Sequence, residues 1–323
     1  MSISRRTFLE SAAAGAIAAH AALAIEIDKK TGMPTRLFGQ TGTRISILAF
    51  GSGSRWLMYK EEDKAIEAMN KALDLGITYI DTAYGYGDGL SESRVGKVLK
   101  SRGGKGNLWV TTKILDRNGD DARRTLEGSL KRLGLDHVDL CHIHSLSTPE
   151  DLAAIEAKDG VLAAFHKLRD QKVIRNIGVS CHTDPAVMKT ALERHDFNCC
   201  QMALNGGRIG MDAASNKRGD TFETLALPVA NRKKMGVIAM KVFLQEKLLG
   251  KAPVEKLIEY AMSLPVSAAV VGMPKLAYIE ENIRIAKAFK ALPPAEMDGL
   301  HKKIAAETMA MVYGPEFNNH QDA

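Results

Sequence analysis

From about residue 36 onward, short runs of apolar residues alternate with longer stretches in which apolar residues recur every three or four positions. The short runs are Ile47 to Gly51, Tyr79 to Ala83, Leu108 to Lys113, Val138 to His144, Asn176 to Ser180, Cys200 to Leu204, Val237 to Val242 and Ala268 to Gly272, eight candidate strands. Between them, sets such as Ala65, Ile66, Met69, Ala72 and Leu73, or Val161, Leu162, Phe165 and Leu168, put one apolar face on a helix. Several helices are expected to stop at a glycine, as at Gly76 and Gly134. Strands that are apolar at nearly every position need cover on both faces, and regular strand-helix alternation makes neighbouring strands parallel. Eight such units predict an α/β fold, a closed (β/α)8 TIM barrel. An open doubly wound sheet competes less well, because no G-x-G-x-x-G follows any candidate strand.

Two additions to the barrel are expected. Arg36 to Ile45 contains two short strands around a Gly-containing turn, a β-hairpin placed to plug the barrel floor. A C-terminal extra helix, roughly Pro294 to Met311, should pack outside the barrel, with a loose tail from Pro315 onward. No Pro/Ser-rich linker interrupts the pattern, so residues 25–323 are expected to form one domain.

The N-terminus reads differently. Ser4-Arg5-Arg6-Thr7-Phe8-Leu9 precedes an Ala-rich, weakly hydrophobic run from Ala12 to Leu23 that ends in Ala22-Leu23-Ala24. Residues 1–24 resemble a twin-arginine (Tat) signal peptide with a small-residue cleavage site. The run is too short and too poor in Leu and Ile for a comfortable membrane span, and no other segment is apolar enough for one, so no stable membrane anchor is expected. The resemblance implies the Tat translocase as a partner during export, folding before export, and a periplasmic location.

Composition narrows the field. Of 323 residues 45% are hydrophobic and 25% charged, as in an ordinary folded globule. The formal net charge is +6, with Lys and Arg scattered among Asp and Glu, which argues against a nucleic-acid partner. Cys141, Cys181, Cys199 and Cys200 form no C-x-x-C pair, so they suggest buried free thiols and neither a zinc site nor a disulfide framework.

Candidate chemistry sits where barrels keep their active sites, at the ends of strands. Asp81, Lys113 and His144 end three consecutive strand candidates. Just beyond Asp81, the glycine-rich loop Tyr84-Gly85-Tyr86-Gly87-Asp88-Gly89 lifts a phenol over the same mouth. A free tyrosine, with a pKa of about 10, is a reluctant acid at neutral pH. An ammonium within hydrogen-bonding distance favours the phenolate and so eases protonation of a developing alkoxide. A carboxylate paired to that ammonium keeps it charged and aimed, and Asp81, Lys113 and Tyr86 have the residue types for this relay.

The run Gly76-Ile77-Thr78-Tyr79-Ile80-Asp81-Thr82-Ala83-Tyr84-Gly85-Tyr86-Gly87 resembles the aldo-keto reductase signature. The similarity extends to Val110-Thr111-Thr112-Lys113, to Val138-Asp139-Leu140-Cys141-His142-Ile143-His144, to Ile177-Gly178-Val179-Ser180, and to Gln201 and Glu280-Glu281-Asn282. It implies an NAD(P)H-dependent reductase of a small-molecule carbonyl, with Tyr86 as general acid, Lys113 its activator, Asp81 the partner of Lys113, and His144 orienting the carbonyl. His142, two residues deeper on the same face, is expected to pack.

The same resemblance implies NADP, with NAD as the alternative, held by Ser180, Gln201, Met240, Lys241, Gly272, Lys275, Glu281 and Asn282. The fit is uneven. Cys181 stands where the family has Asn, Met240 where an aromatic often stacks, and Gly272 and Tyr278 where basic residues are common, with Lys275 a substitute. The substrate pocket is expected from Trp56 and Tyr59, from Ser145 to Thr148, and from the Asn205 to Thr221 segment with Arg208. Two other readings stay open. One is a nucleotide-binding barrel with a sensing role, and the other is a metal-dependent hydrolase using His142-Ile143-His144 with Asp81 or His182.

Overall fold

The chain enters the fold through a small antiparallel sheet. In the computed structural model, which describes residues 24–308, β1 (Glu26–Ile27), β2 (Pro34–Leu37) and β3 (Arg44–Ser46) pair in the order β1-β2-β3. The expected hairpin is β2 and β3. β1 was not legible, because two exposed residues carry no period. At the tip of the hairpin Phe38 is fully buried, its ring edge-on to Tyr79 at 5.6 Å and to Trp109 at 5.2 Å. Gly236 makes room for it, since a Cβ there would stand 2.5 Å from the Phe38 ring. The hairpin therefore does plug the floor, and burying that one phenyl contributes about 1.5–3 kcal/mol.

Above the floor, β4 (Leu48–Gly51), β5 (Tyr79–Asp81), β6 (Trp109–Ile114), β7 (Val138–Ile143), β8 (Ile174–Cys181), β9 (Cys199–Ala203), β10 (Gly236–Met240) and β11 (Ala268–Gly272) close into a barrel. Every pair in it is parallel. Boundaries differ from expectation by a few residues. β5 ends at Asp81 because Thr82 and Ala83 already turn into the glycine loop, and His144 follows β7 while its N–H still donates to the Ile114 carbonyl at 2.9 Å.

Because side chains alternate along a strand, the apolar positions split into two cores. Ile80, Val110, Ile143 and Val179 pack outward against the helices. Tyr79, Trp109, Leu140, Cys199 and Ile238 fill the lower barrel with Phe38. The helices end as their sequences require. The helix Gly119–Leu133 is capped by the Asn118 side chain, which accepts from the Asp120 and Asp121 N–H groups, and it closes on Gly134 at φ 66. Only glycine takes that conformation cheaply.

The C-terminal helix Pro294–Thr308 lies outside the barrel, with Ile304 buried among Leu248, Leu257 and Met211. All four cysteines are buried and free, and burial pushes each thiol up, Cys181 to about 12, which makes them inert. Among the described residues no helix is long and apolar enough to cross a membrane. The twin-arginine segment, apart from Ala24, and the tail from Pro315 lie outside the described residues.

Candidate active site

Tyr86 is carried by a loop whose shape demands its glycines: Gly87, Asp88 and Gly89 have φ of 64, 51 and 88 in succession. The loop is tied back to the first barrel strand by hydroxyls. The Ser91 hydroxyl lies 2.7 Å from that of Thr82 and donates to the Ser52 carbonyl at 2.9 Å. Gly53 then lets the ring settle, since a Cβ there would touch it at 3.3 Å. Tyr86 ends nine-tenths buried with its hydroxyl on Lys113.

Lys113 Nζ donates to Asp81 Oδ2 at 2.8 Å, to the Thr82 carbonyl at 3.0 Å and to the Tyr86 hydroxyl at 3.1 Å. All three ammonium protons are thus committed, and Lys113 and Asp81 are 1% and 2% exposed. In that low-dielectric setting removing either partner costs about 3–5 kcal/mol, because the other is left charged and unpaired. The ammonium proton resting on the phenol oxygen stabilises the anion formed when the phenol gives up its own proton. His144 is fully buried, its ring 5.9 Å from that of Tyr86 at 80°. The expected set of Asp81, Tyr86, Lys113 and His144 therefore stands together at the mouth.

His142 lies one layer lower, paired in register with Lys113 and fully buried. Burial, with the Lys113 ammonium and His144 adding to it, drives its pKa well below 6.5, so it stays neutral. Among the described residues no group of three or more His, Cys, Asp and Glu is placed to hold a metal.

Beside Tyr86 a cleft of about 250 Å³ runs along the barrel mouth toward the helix Leu276–Lys287. Gln201, Met240, Lys241, Gly272, Glu281 and Asn282 line it, as expected of cofactor residues, and so do Asp81 and Tyr86. A nicotinamide nucleotide fits this lining. The Gln201 side chain donates to Asp81 Oδ2 at 3.3 Å, and its own carbonyl oxygen is buried without a donor, the complement of a carboxamide N–H. Lys241, Gln245 and Glu246 hold positive φ of 56, 52 and 74 along one wall, backbone strain of the kind found at ligand clamps.

Five of the expected binding residues lie away from the wall of this cleft. Ser180 is fully buried in register with Gln201, its hydroxyl accepting the Ser145 N–H at 3.0 Å, and is not part of the cleft wall. Lys275 also stays outside, its ammonium 5.6 Å over the Tyr278 ring. Trp56 is core, donating to the Ala65 carbonyl at 2.9 Å and packed edge-on against Phe50. Tyr59 packs against the outer core. Arg208 bonds the Tyr260 hydroxyl at 3.0 Å and Asp298 at 2.8 Å, holding the C-terminal helix. Ser180, Trp56 and Arg208 found hydrogen-bond partners inside the fold.

Sequence reasoning missed Arg55, His182 and the wall from Phe243 to Glu246. Arg55 lines the cleft, while its neighbour Trp56 does not, and it pairs with Glu246 across the rim at 3.1 Å. His182 was weighed only as a metal ligand. Its ring stands 6.0 Å from that of His144, with Nδ1 3.1 Å from the Ser145 hydroxyl. A second imidazole just past Ser180 was the available signal. Cys181, in contrast, faces outward, its thiol directed to the Asp184 carbonyl at 3.5 Å.

The sequence pattern of the Aldo/keto reductase family matches residues 48–241. Over 322 residues the chain is 25% identical to the L-galactose dehydrogenase of Arabidopsis thaliana, covering 87% of this chain and 95% of that protein. It is similar in structure to the holo form of an aldo-keto reductase from Bacillus halodurans, at 24% identity and a TM-score of 0.66 over 84% of this chain and 96% of that one. A Klebsiella pneumoniae aldo-keto reductase in complex with NADPH matches at 20% identity and a TM-score of 0.67, over 83% of this chain and 94% of that one. At such identities the two structures attest the shared barrel.

Proposed function

The chain belongs to the aldo/keto reductase family, whose members are oxidoreductases, and from that premise we propose that it reduces an aldehyde or ketone to an alcohol with NAD(P)H. NADPH is the preferred form of the cofactor, as in the complex of the Klebsiella relative. The observation that carries the reading is the three-way bond of the Lys113 ammonium to Asp81, Thr82 and Tyr86 beside a cleft lined by Gln201 and Asn282.

Gln201, Met240, Lys241, Gly272, Glu281 and Asn282 would hold the nucleotide, which supplies the hydride when bound. Tyr86 donates its phenolic proton to the oxygen of the carbonyl as negative charge gathers there. Lys113 holds the resulting phenolate, and Asp81 keeps the ammonium charged and aimed. His144, edge-on to the phenol, orients the carbonyl oxygen toward it.

The reading also includes export. Arg5-Arg6, the weakly apolar run after them and Ala22-Leu23-Ala24 support passage through the Tat translocase to the periplasm. Replacing both arginines by lysine should retain the protein in the cytoplasm, and unchanged recovery from a periplasmic extract would count against export. For the enzyme itself, the protein is mixed with NADPH and a panel of aldehydes and quinones while nicotinamide absorbance is followed. Steady turnover that drops at least about 100-fold in Tyr86→Phe supports the reductase. Nucleotide binding with no turnover across the panel would favour a binding or sensing role.

A further inference from the structure

The chain turns immediately after His144 through Ser145-Leu146-Ser147-Thr148, a run without glycine, yet Ser145 holds φ of 59. A residue with a side chain keeps that left-handed conformation only where its surroundings impose it. Here they do. The Ser145 N–H donates to the Ser180 hydroxyl at 3.0 Å, its own hydroxyl lies 3.1 Å from His182 Nδ1, and its carbonyl accepts from Arg117 at 3.3 Å.

Arg117 supplies more than that one bond. Its guanidinium also donates to the His144 carbonyl at 2.8 Å and to the Leu115 carbonyl at 3.0 Å. Asp151 holds the fork in place, accepting from Nε at 2.5 Å and from Nη2 at 3.0 Å. Asp151 is fixed in turn by the Ser147 N–H, which donates to Oδ2 at 3.0 Å, and by its own N–H, which donates to the Thr148 hydroxyl at the start of the helix Pro149–Glu156. The two side chains are 21% and 16% exposed, so most of the pair is withdrawn from solvent. Surface arginines such as Arg123, paired with Glu127 one turn along its own helix, hold no distant backbone in this way.

The consequence falls on His144. Its N–H donates to the Ile114 carbonyl at 2.9 Å and its carbonyl accepts from Arg117, so both of its backbone polar groups are tied to the segment from Ile114 to Arg117. That segment continues directly from Lys113. Fixing the backbone of His144 on both sides sets where its imidazole stands against the Tyr86 phenol, 5.9 Å away ring to ring. Arg117 is not part of the cleft wall and acts through this backbone. Three carbonyls and a carboxylate around one cation call for the planar guanidinium, since a lysine ammonium has only three donors on a flexible stem.

We propose that Arg117, held by Asp151, is a positioning residue for the carbonyl reduction: it fixes His144 against the Tyr86 phenol and so decides which face of the carbonyl meets the hydride. The inference rests on the reductase reading, so one of its measurements needs no turnover. Arg117→Ala, Arg117→Lys and Asp151→Asn are compared with the parent as full-length protein. Benzaldehyde is reduced with NADPH carrying deuterium at the transferred position, which gives a chiral deuterated benzyl alcohol whose R to S ratio records the face presented. In parallel, the imidazole NMR signals of His144, identified by their loss in His144→Asn, are followed in the NADP-loaded protein.

Both Arg117 variants should lower kcat by about 10-fold to 100-fold, the effect of misplacing a group by roughly 1 Å. They should also bring the R to S ratio toward one, shift the His144 signals, and leave the NADPH dissociation constant unchanged. Millimolar guanidinium added to Arg117→Ala should restore part of kcat and of the ratio, and methylammonium should not. Asp151→Asn, which keeps an acceptor for the fork, should move every readout the same way by less, and it carries the test if Arg117→Ala does not fold. Parent kcat and parent ratio in folded Arg117→Ala, or unmoved His144 signals, overturn the inference, and a lowered melting temperature alone marks a merely structural pair. If no carbonyl turns over even in the parent, the reductase reading falls, and the His144 signals still decide the clamp.

Discussion

The two ends of the barrel are built on the same strands from opposite chemistry. β5 carries Tyr79 toward the floor and Asp81 at the mouth, and β6 carries Trp109 and Lys113 in the same way. At the floor the aromatic rings of Phe38, Tyr79 and Trp109 interlock. At the mouth an ammonium and a carboxylate are buried just as deeply, and every proton on Lys113 is used. The floor supplies stability that the mouth does not return, since a buried ion pair stabilises little relative to an apolar pair of the same volume. What the mouth gains is a charge fixed where a reaction needs it.

The sharpest way to break the contrast is Lys113→Met. It should lower kcat by about 100-fold or more. It should also destabilise the fold by about 3–5 kcal/mol, because Asp81 is left buried and unpaired. Enzymatic rates with urea titrations of the same variant check both. Phe38→Ala should cost a similar 3–5 kcal/mol at the floor. Activity per folded molecule should stay within about twofold of the parent, the range of an uninvolved residue. A large loss of kcat in that variant would mean that floor and mouth are coupled.

Between the two ends, Gly178→Ala tests the middle layer. Its Cβ would stand 2.4 Å from His142 Nδ1, so the ring must move, at a cost of about 1–3 kcal/mol. His142→Ala in the same chain should recover part of that loss in thermal unfolding. The smallest effect concerns pH. The pKa of His142 is depressed in the folded state, so below its unfolded value of about 6.5 the unfolded chain takes up a proton that the folded chain refuses. Its contribution is fully present above that pH and lost as pH falls, at up to about 1.4 kcal/mol per pH unit. Stability measured from pH 7 down to pH 5 should fall less steeply in His142→Leu than in the parent, and identical slopes would refute the assignment.

The barrel was legible because its signal is repeated. Eight strand-helix units each carried the same period, and an error of a few residues at β5 or β8 did not change their number. Asp81, Tyr86, Lys113 and His144 were legible because strand ends face the mouth whatever the loops do. Loop residues had no such rule. Trp56 and Arg55 are adjacent, and the short helical turn at Trp56–Met58 sends the aromatic into the core and the cation to the cleft. Arg208 offered binding chemistry in the sequence, but Tyr260 and Asp298, 52 and 90 residues away, claimed it.

The order and type of the elements, and with them the face on which chemistry could sit, were readable along the chain, because backbone period and strand polarity are local properties. Which polar side chains meet a ligand and which are used up inside the protein is set by the folded packing. Those partners come from distant parts of the chain, and buried polar groups take whatever donor or acceptor the packing brings within reach.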